Sequence, residues 1–143
     1  MLKPIKEVSF LKQLLAGEIV AQKSNARFPV LVLFENAQGE NLPIKEEELL
    51  GKIMNGINIH LDSIKVLNIA YSFPYQSIAE LPANAIISFG IQRKITQFPA
   101  YEPKYIWQNR GGYEFLFADS LQDISNSPEL KLALWKAVKD KKF

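Results

Sequence analysis

Residues 115–135, FLFADSLQDISNSPELKLALW, constrain this chain more than any other stretch. Phe115-Leu116-Phe117 is a short, continuous apolar run, the form a strand takes when both its faces are covered. Asp119 and Ser120 end it, and Ser125-Asn126-Ser127-Pro128 punctuates the chain a second time. Ser127 is placed to cap a helix, and Pro128 suits its first position, where a missing N–H costs nothing. Glu129 follows in the first turn, where the helix dipole favours an anion. Leu130, Leu134 and Val138 recur at helical spacing beside Trp135, and Lys136, Lys139, Lys141 and Lys142 gather at the end that favours cations. The stretch therefore reads as buried strand, polar elbow and closing helix, one unit of an α/β sheet.

The rest of the chain repeats that alternation. Residues 28–34 form the clearest strand, and residues 63–70, 85–90 and 113–118 supply three more. Between the first two, a helix starts near Pro43, with Leu49, Leu50, Ile53, Met54 and Ile57 on one face. The acidic run Glu46-Glu47-Glu48 at its start compensates the dipole more readily than it binds metal. A short helix is expected around residues 76–81, and residues 91–110 are the least regular region. The pattern predicts a three-layer α/β/α sandwich with a mainly parallel, four-stranded sheet over residues 27–143. Residues 1–26 precede it as an amphipathic segment, with Ile5, Val8, Phe10, Leu11, Leu14 and Leu15 at helical spacing. That segment reads either as a helix packed on the domain or as a peptide for a partner's groove.

Composition narrows the function classes. The chain has no cysteine, which removes disulfides, thiolate metal sites, iron–sulfur clusters and thiol nucleophiles, and fits a cytoplasmic location. A net charge of +2 gives no bulk electrostatic case for nucleic acid. No apolar run reaches membrane-spanning length, and no apolar segment follows the first lysines as in a secretory signal. The single histidine, His60, has no companions for a typical zinc site, so no metal and no cofactor are expected. Phosphate-binding and nucleophile-elbow glycine motifs are missing.

Two groups of residues remain as candidates. Glu35 follows the first strand and Asp119 the fourth; in a parallel sheet both stand on the carboxyl rim, where α/β ligand sites form. Such residues can act as acid and base, but more often they cap loops and helices. Arg93, Lys94, Phe98, Tyr101, Tyr105, Trp107 and Arg110 form an aromatic and basic patch, read as loop-pinning aromatics, a protein interface or a base-stacking surface.

The order VLVLFENAQGE, LLGKIM, AIISFG, RGG and FLFADSLQDI resembles the uracil-DNA glycosylase fold. More narrowly, Ala118-Asp119-Ser120-Leu121-Gln122-Asp123-Ile124, followed by Pro128, Lys131, Ala133, Leu134 and Trp135, is similar to the carboxyl-terminal signature of the psi-subunit family of bacterial DNA polymerase III. The resemblance implies a glycosylase-like fold without glycosylase activity, acting as an adaptor of the clamp loader. Its implied partners are clamp-loader subunits, through Phe10, Leu11, Leu14 and Leu15, and a chi-like subunit that gives indirect contact with single-stranded DNA. Tyr101, Tyr105 and Trp107 are expected on a second binding face.

The active-site motifs of glycosylases are degenerate here. Phe34-Glu35-Asn36-Ala37-Gln38-Gly39 stands where a Gly-Glu-x-Pro-Gly or Gly-Gln-Asp-Pro motif belongs. Ala118-Asp119-Ser120 stands where a His-Pro-Ser type motif belongs, without the histidine that would stabilise a departing base. Glu35, Asn36, Asp119 and Ser120 are thus degenerate site positions, and the chain is expected not to be an enzyme. The alternatives are a divergent uracil-DNA glycosylase, with Glu35 or Asp119 placing the water, and a single-strand nucleic-acid-binding module.

Overall fold

The computed structural model describes residues 28–71, 80–90 and 103–143. The order of elements is β1 (Leu31–Phe34), α1 (Ile44–Gly56), a 3-10 turn (Leu61–Ser63), β2 (Lys65–Asn68), β3 (Ala85–Phe89), β4 (Gln108–Arg110), β5 (Tyr113–Ala118), α2 (Leu121–Ser125) and α3 (Pro128–Val138). The strands form one mixed sheet in the order β2-β1-β3-β5-β4. β1 pairs parallel with both β2 and β3, and β3 pairs parallel with β5.

This corrects the expected sheet: it has five strands and is mixed. The fifth strand lies in the region read as irregular. Gln108, Asn109 and Arg110 carry no apolar alternation, and β4 is held by antiparallel pairing to β5. Gly111 and Gly112, with φ of 61° and 86°, make the two-residue hairpin turn that brings it there. The first strand is also shorter than expected. Phe28 makes only an isolated bridge to Ala83, and the continuous strand begins at Leu31, beyond Pro29, which lacks the N–H a ladder needs. Ser63 closes the 3-10 turn and is not part of β2.

Alternation along the pleat divides the core in two. Val32, Phe34, Ile87, Phe89, Leu116 and Ala118 face a cluster shared with Leu50, Ile53 and Met54 of α1, Leu121 and Ile124 of α2, and Leu134 and Val138 of α3. Leu31, Leu33, Leu67, Ile86, Phe115 and Phe117 form the second cluster, with Leu81, Ala83 and Tyr113. Side chains on both faces of the central strands are buried, which is why those strands read as unbroken apolar runs. Ser88 is the polar exception on the second face, its Oγ buried without a hydrogen-bond partner.

The closing unit matches its sequence reading. Ser127 Oγ accepts from Leu130 N at 3.2 Å, and Pro128 opens α3. The polar elbow holds a helix that the sequence reading did not include: Ser120 Oγ accepts from Asp123 N at 3.1 Å and starts α2. Helix α3 seats on α1 at Gly56, where a Cβ would lie 2.6 Å from the Trp135 ring. The amphipathic segment over residues 1–26, with Phe10, Leu11, Leu14 and Leu15, lies outside the described residues, as do Tyr101 and most of the short helix expected near residue 76. No described helix is long and apolar enough to cross a membrane.

Candidate functional site at the carboxyl rim of the sheet

The parallel strands put the loops after β1 and β5 on one rim, as expected. β3 lies between them, so two strand spacings, roughly 10 Å, separate the strand ends that carry Glu35 and Asp119. The rim has two parts.

On the β1 side, the loop after Phe34 is built on the side chain of Asn68, the last residue of β2 and nearly buried. Its Oδ1 accepts from Asn36 N and Ala70 N, each at 3.0 Å. Its Nδ2 donates to Asn36 O at 2.9 Å, Gly39 O at 2.8 Å and Glu40 O at 3.3 Å. One amide thus holds both ends of the loop. Asn36 is turned inward on the same loop: Oδ1 accepts from Gln38 N at 3.1 Å, and Nδ2 donates to Asn41 O at 3.2 Å.

On the β5 side, Asp119 is clasped by the turn before β4. Lys104 Nζ stands 2.7 Å from its Oδ1, and the Tyr105 hydroxyl donates to Oδ2 at 2.8 Å. The Asp119 N–H reaches the same hydroxyl at 3.2 Å. Burial works to raise the Asp119 carboxyl, but the hydrogen bonds and charge of Lys104 and the hydrogen bond from Tyr105 outweigh it, and the carboxyl is held below its ordinary value. The Tyr105 phenol is pushed far up, first by burial and further by the Asp119 carboxylate it faces. Tyr105 adopts φ of 64°, a left-handed conformation that costs a non-glycine residue about 1–2 kcal/mol. Its N–H bond to Phe117 O at 2.7 Å and its clasp on Asp119 hold it there.

Ser120 caps α2 and also lies under Gly90. A Cβ at Gly90, whose φ is +62°, would stand 2.7 to 3.0 Å from Ser120 Cβ, Cα and N. Strand β3 leaves the sheet over the α2 cap only because that residue is glycine.

Glu35, Asn36, Asp119 and Ser120 stand on the same rim of the sheet. Asn36, Asp119 and Ser120 commit their polar atoms to loops and caps. Among the described residues no three histidine, cysteine, aspartate or glutamate side chains gather as metal ligands. His60 caps the 3-10 turn, its Nδ1 accepting from Asp62 N at 3.3 Å.

Of the aromatic residues in this region, Tyr105 and Trp107 are both half-buried. Trp107 Nε1 donates to Ala137 O at 2.7 Å, and the Phe143 ring meets the indole edge-on at 5.8 Å. Lys141 Nζ lies 4.9 Å above the Trp107 ring and pairs with Glu114. Trp107 therefore pins the end of the chain, and Tyr105 pins Asp119. The exposed apolar side chain between them is Ile106, more than half exposed, which the sequence reading passed over. Asn68 and Lys104 were missed as well. Asn68 had one signal, an amide closing an otherwise apolar strand; Lys104 had none.

The chain matches no protein-family model and no curated protein.

Proposed function

We propose that this protein is a non-catalytic adaptor of the clamp loader of a replicative DNA polymerase, similar to the psi subunit. In this reading the α/β domain is a three-layer, uracil-DNA glycosylase-like sandwich whose degenerate site has become framework. One observation carries the reading: at the positions that align with glycosylase motifs, Asn36, Asp119 and Ser120 are engaged in holding loops and helix starts. A general base or oxyanion donor needs its polar atoms presented to substrate. The surface that fits a partner on this domain is Ile106, held between the anchored Tyr105 and Trp107, because rigid apolar anchors lose little entropy on binding. In this reading Phe10, Leu11, Leu14 and Leu15 supply the clamp-loader contact, and Tyr101 contributes to the second.

The test is capture of purified clamp-loader subunits and a chi-like subunit by the immobilised full-length protein. Loss of clamp-loader capture in Leu14→Glu/Leu15→Glu, and of the other partner in Ile106→Glu, is the expected result. Absence of capture by the wild-type chain rejects the adaptor. Uracil release from single-stranded DNA that disappears in Glu35→Gln would instead assign a glycosylase. Oligonucleotide binding that falls steeply with salt would assign a nucleic-acid module.

A further inference from the structure

We propose that Trp107 and Glu114 form a receptor for a lysine-x-aromatic segment, filled in this chain by its own residues 141–143 and taken in turn by the same motif on a partner protein. Helix α3 ends at Val138, and the chain then folds back across Trp107. Lys141 Nζ lies 4.9 Å above the indole ring and pairs with the Glu114 carboxylate. The Phe143 ring meets the same indole edge-on, at 5.8 Å and 73°.

The chain itself shows which chemistry the site selects. Lys136, Lys139, Lys141 and Lys142 follow one another along the same stretch with the same side chain. Lys136, Lys139 and Lys142 are exposed, whereas the side chain of Lys141 is only 14% exposed. A lysine gives up its water only where something replaces it. Here a carboxylate answers the charge, and the face of the indole adds its own attraction for an ammonium. Receptor and occupant also belong to different parts of the fold. Trp107 Nε1 donates to Ala137 O at 2.7 Å, and Glu114 sits in β5 with its N–H on Asn84 O at 2.9 Å, so both keep their places without the tail. The tail is fastened more lightly. Past the bond from Lys141 N to Val138 O at 3.1 Å, its polar and ring contacts are those of the Lys141 and Phe143 side chains, and Asp140 and Lys142 are exposed. A preformed site with a lightly tethered occupant is open to a competing segment of the same chemistry. Ile106 precedes Trp107 in the chain and is more than half exposed, which gives a partner one apolar contact that the tail leaves uncovered. The inference stands whether or not the adaptor reading holds, because its donor is defined by a motif.

The probe is a synthetic peptide of residues 138–143, Val-Lys-Asp-Lys-Lys-Phe. It is titrated into the full-length wild type and into the emptied variant Lys141→Ser/Phe143→Ala, with the Trp107 indole N–H and the backbone amides as readouts. The emptied variant is expected to bind about tenfold more tightly than the wild type, whose own tail competes. Signals of Ile106, Trp107 and Glu114 move, and adding Glu114→Gln to the emptied variant weakens binding several-fold. A peptide with glutamate at the place of Lys141 does not bind. Equal affinity in the two proteins, or no binding to the emptied variant, overturns the proposal. Shifts away from Trp107 and equal binding of the glutamate peptide overturn it too. An emptied variant whose amides change throughout also does so, by showing the tail to be core. A wild-type mass that rises with concentration, against a monomeric emptied variant, rejects the partner and makes a second copy of the chain the donor.

Discussion

The two parts of the carboxyl rim perform the same task with different chemistry. Beside β1, a neutral amide, Asn68, gathers a loop through five hydrogen bonds to backbone groups. Beside β5, a charged carboxylate, Asp119, is clasped by Lys104 and Tyr105. The amide serves donors and acceptors together, so its bonds are indifferent to pH. The carboxylate only accepts, and its contribution depends on staying ionised.

Asn68→Asp is the strongest way to break the contrast. It places a carboxylate oxygen against the carbonyls of Asn36, Gly39 and Glu40, and a loss of about 3–5 kcal/mol is expected in denaturant unfolding. That group would favour its protonated form in the folded state. Stability should therefore recover as pH falls, the reverse of the wild type. Gly90→Ala comes next, at about 3 kcal/mol, because a Cβ meets the Ser120 backbone and the left-handed φ is strained. Thermal unfolding would show it, and Gly112→Ala, with an open surrounding but a left-handed φ, should cost about 1–2 kcal/mol.

Asp119→Asn is a smaller change, about 1 kcal/mol near neutral pH, and it sharpens the comparison through pH. The folded carboxyl sits below its ordinary value of 3.8, so its contribution is fully present above that value and is lost as pH falls through the folded one. Urea midpoints measured from pH 6 to pH 2 should fall less in the variant than in the wild type. Lys104→Met is smallest. Its side chain is 36% exposed, and solvent screening limits the loss to about 0.5 kcal/mol.

What was legible in the sequence was whatever depends on local pattern. The apolar runs of β3 and β5, the core of β1, the stripe of α1 and the Ser127-Pro128 start of α3 are properties of neighbouring residues, and the structure has them where they were expected. β4 was not legible, because a strand of Gln108, Asn109 and Arg110 exists only by pairing with β5. Helix α2 was hidden because Asp119 and Ser120 look like a terminator, while Ser120 is at once the end of a strand unit and a cap. At the rim, the placement of Glu35 and Asp119 followed from parallel topology. That β3 lies between the two strands that carry them did not, since strand order is set by tertiary pairing. Trp107 had the composition of an anchor, and only the structure shows that Ala137 and Phe143 occupy it.

The position of β1 has a consequence for how the chain is made. Its neighbours in the sheet, β2 and β3, both follow it in sequence, and Leu31 aligns with Ile86. By contrast β4 and β5 join through a tight turn, and α2 leads straight into α3. Local contacts form early and distant parallel pairings late. Among the described strands, Leu-Val-Leu-Phe is synthesised first and waits longest, an apolar tetrapeptide without both its neighbours until β3 has been made. A fully buried strand of the finished sheet is thus the one most in need of chaperone cover during synthesis.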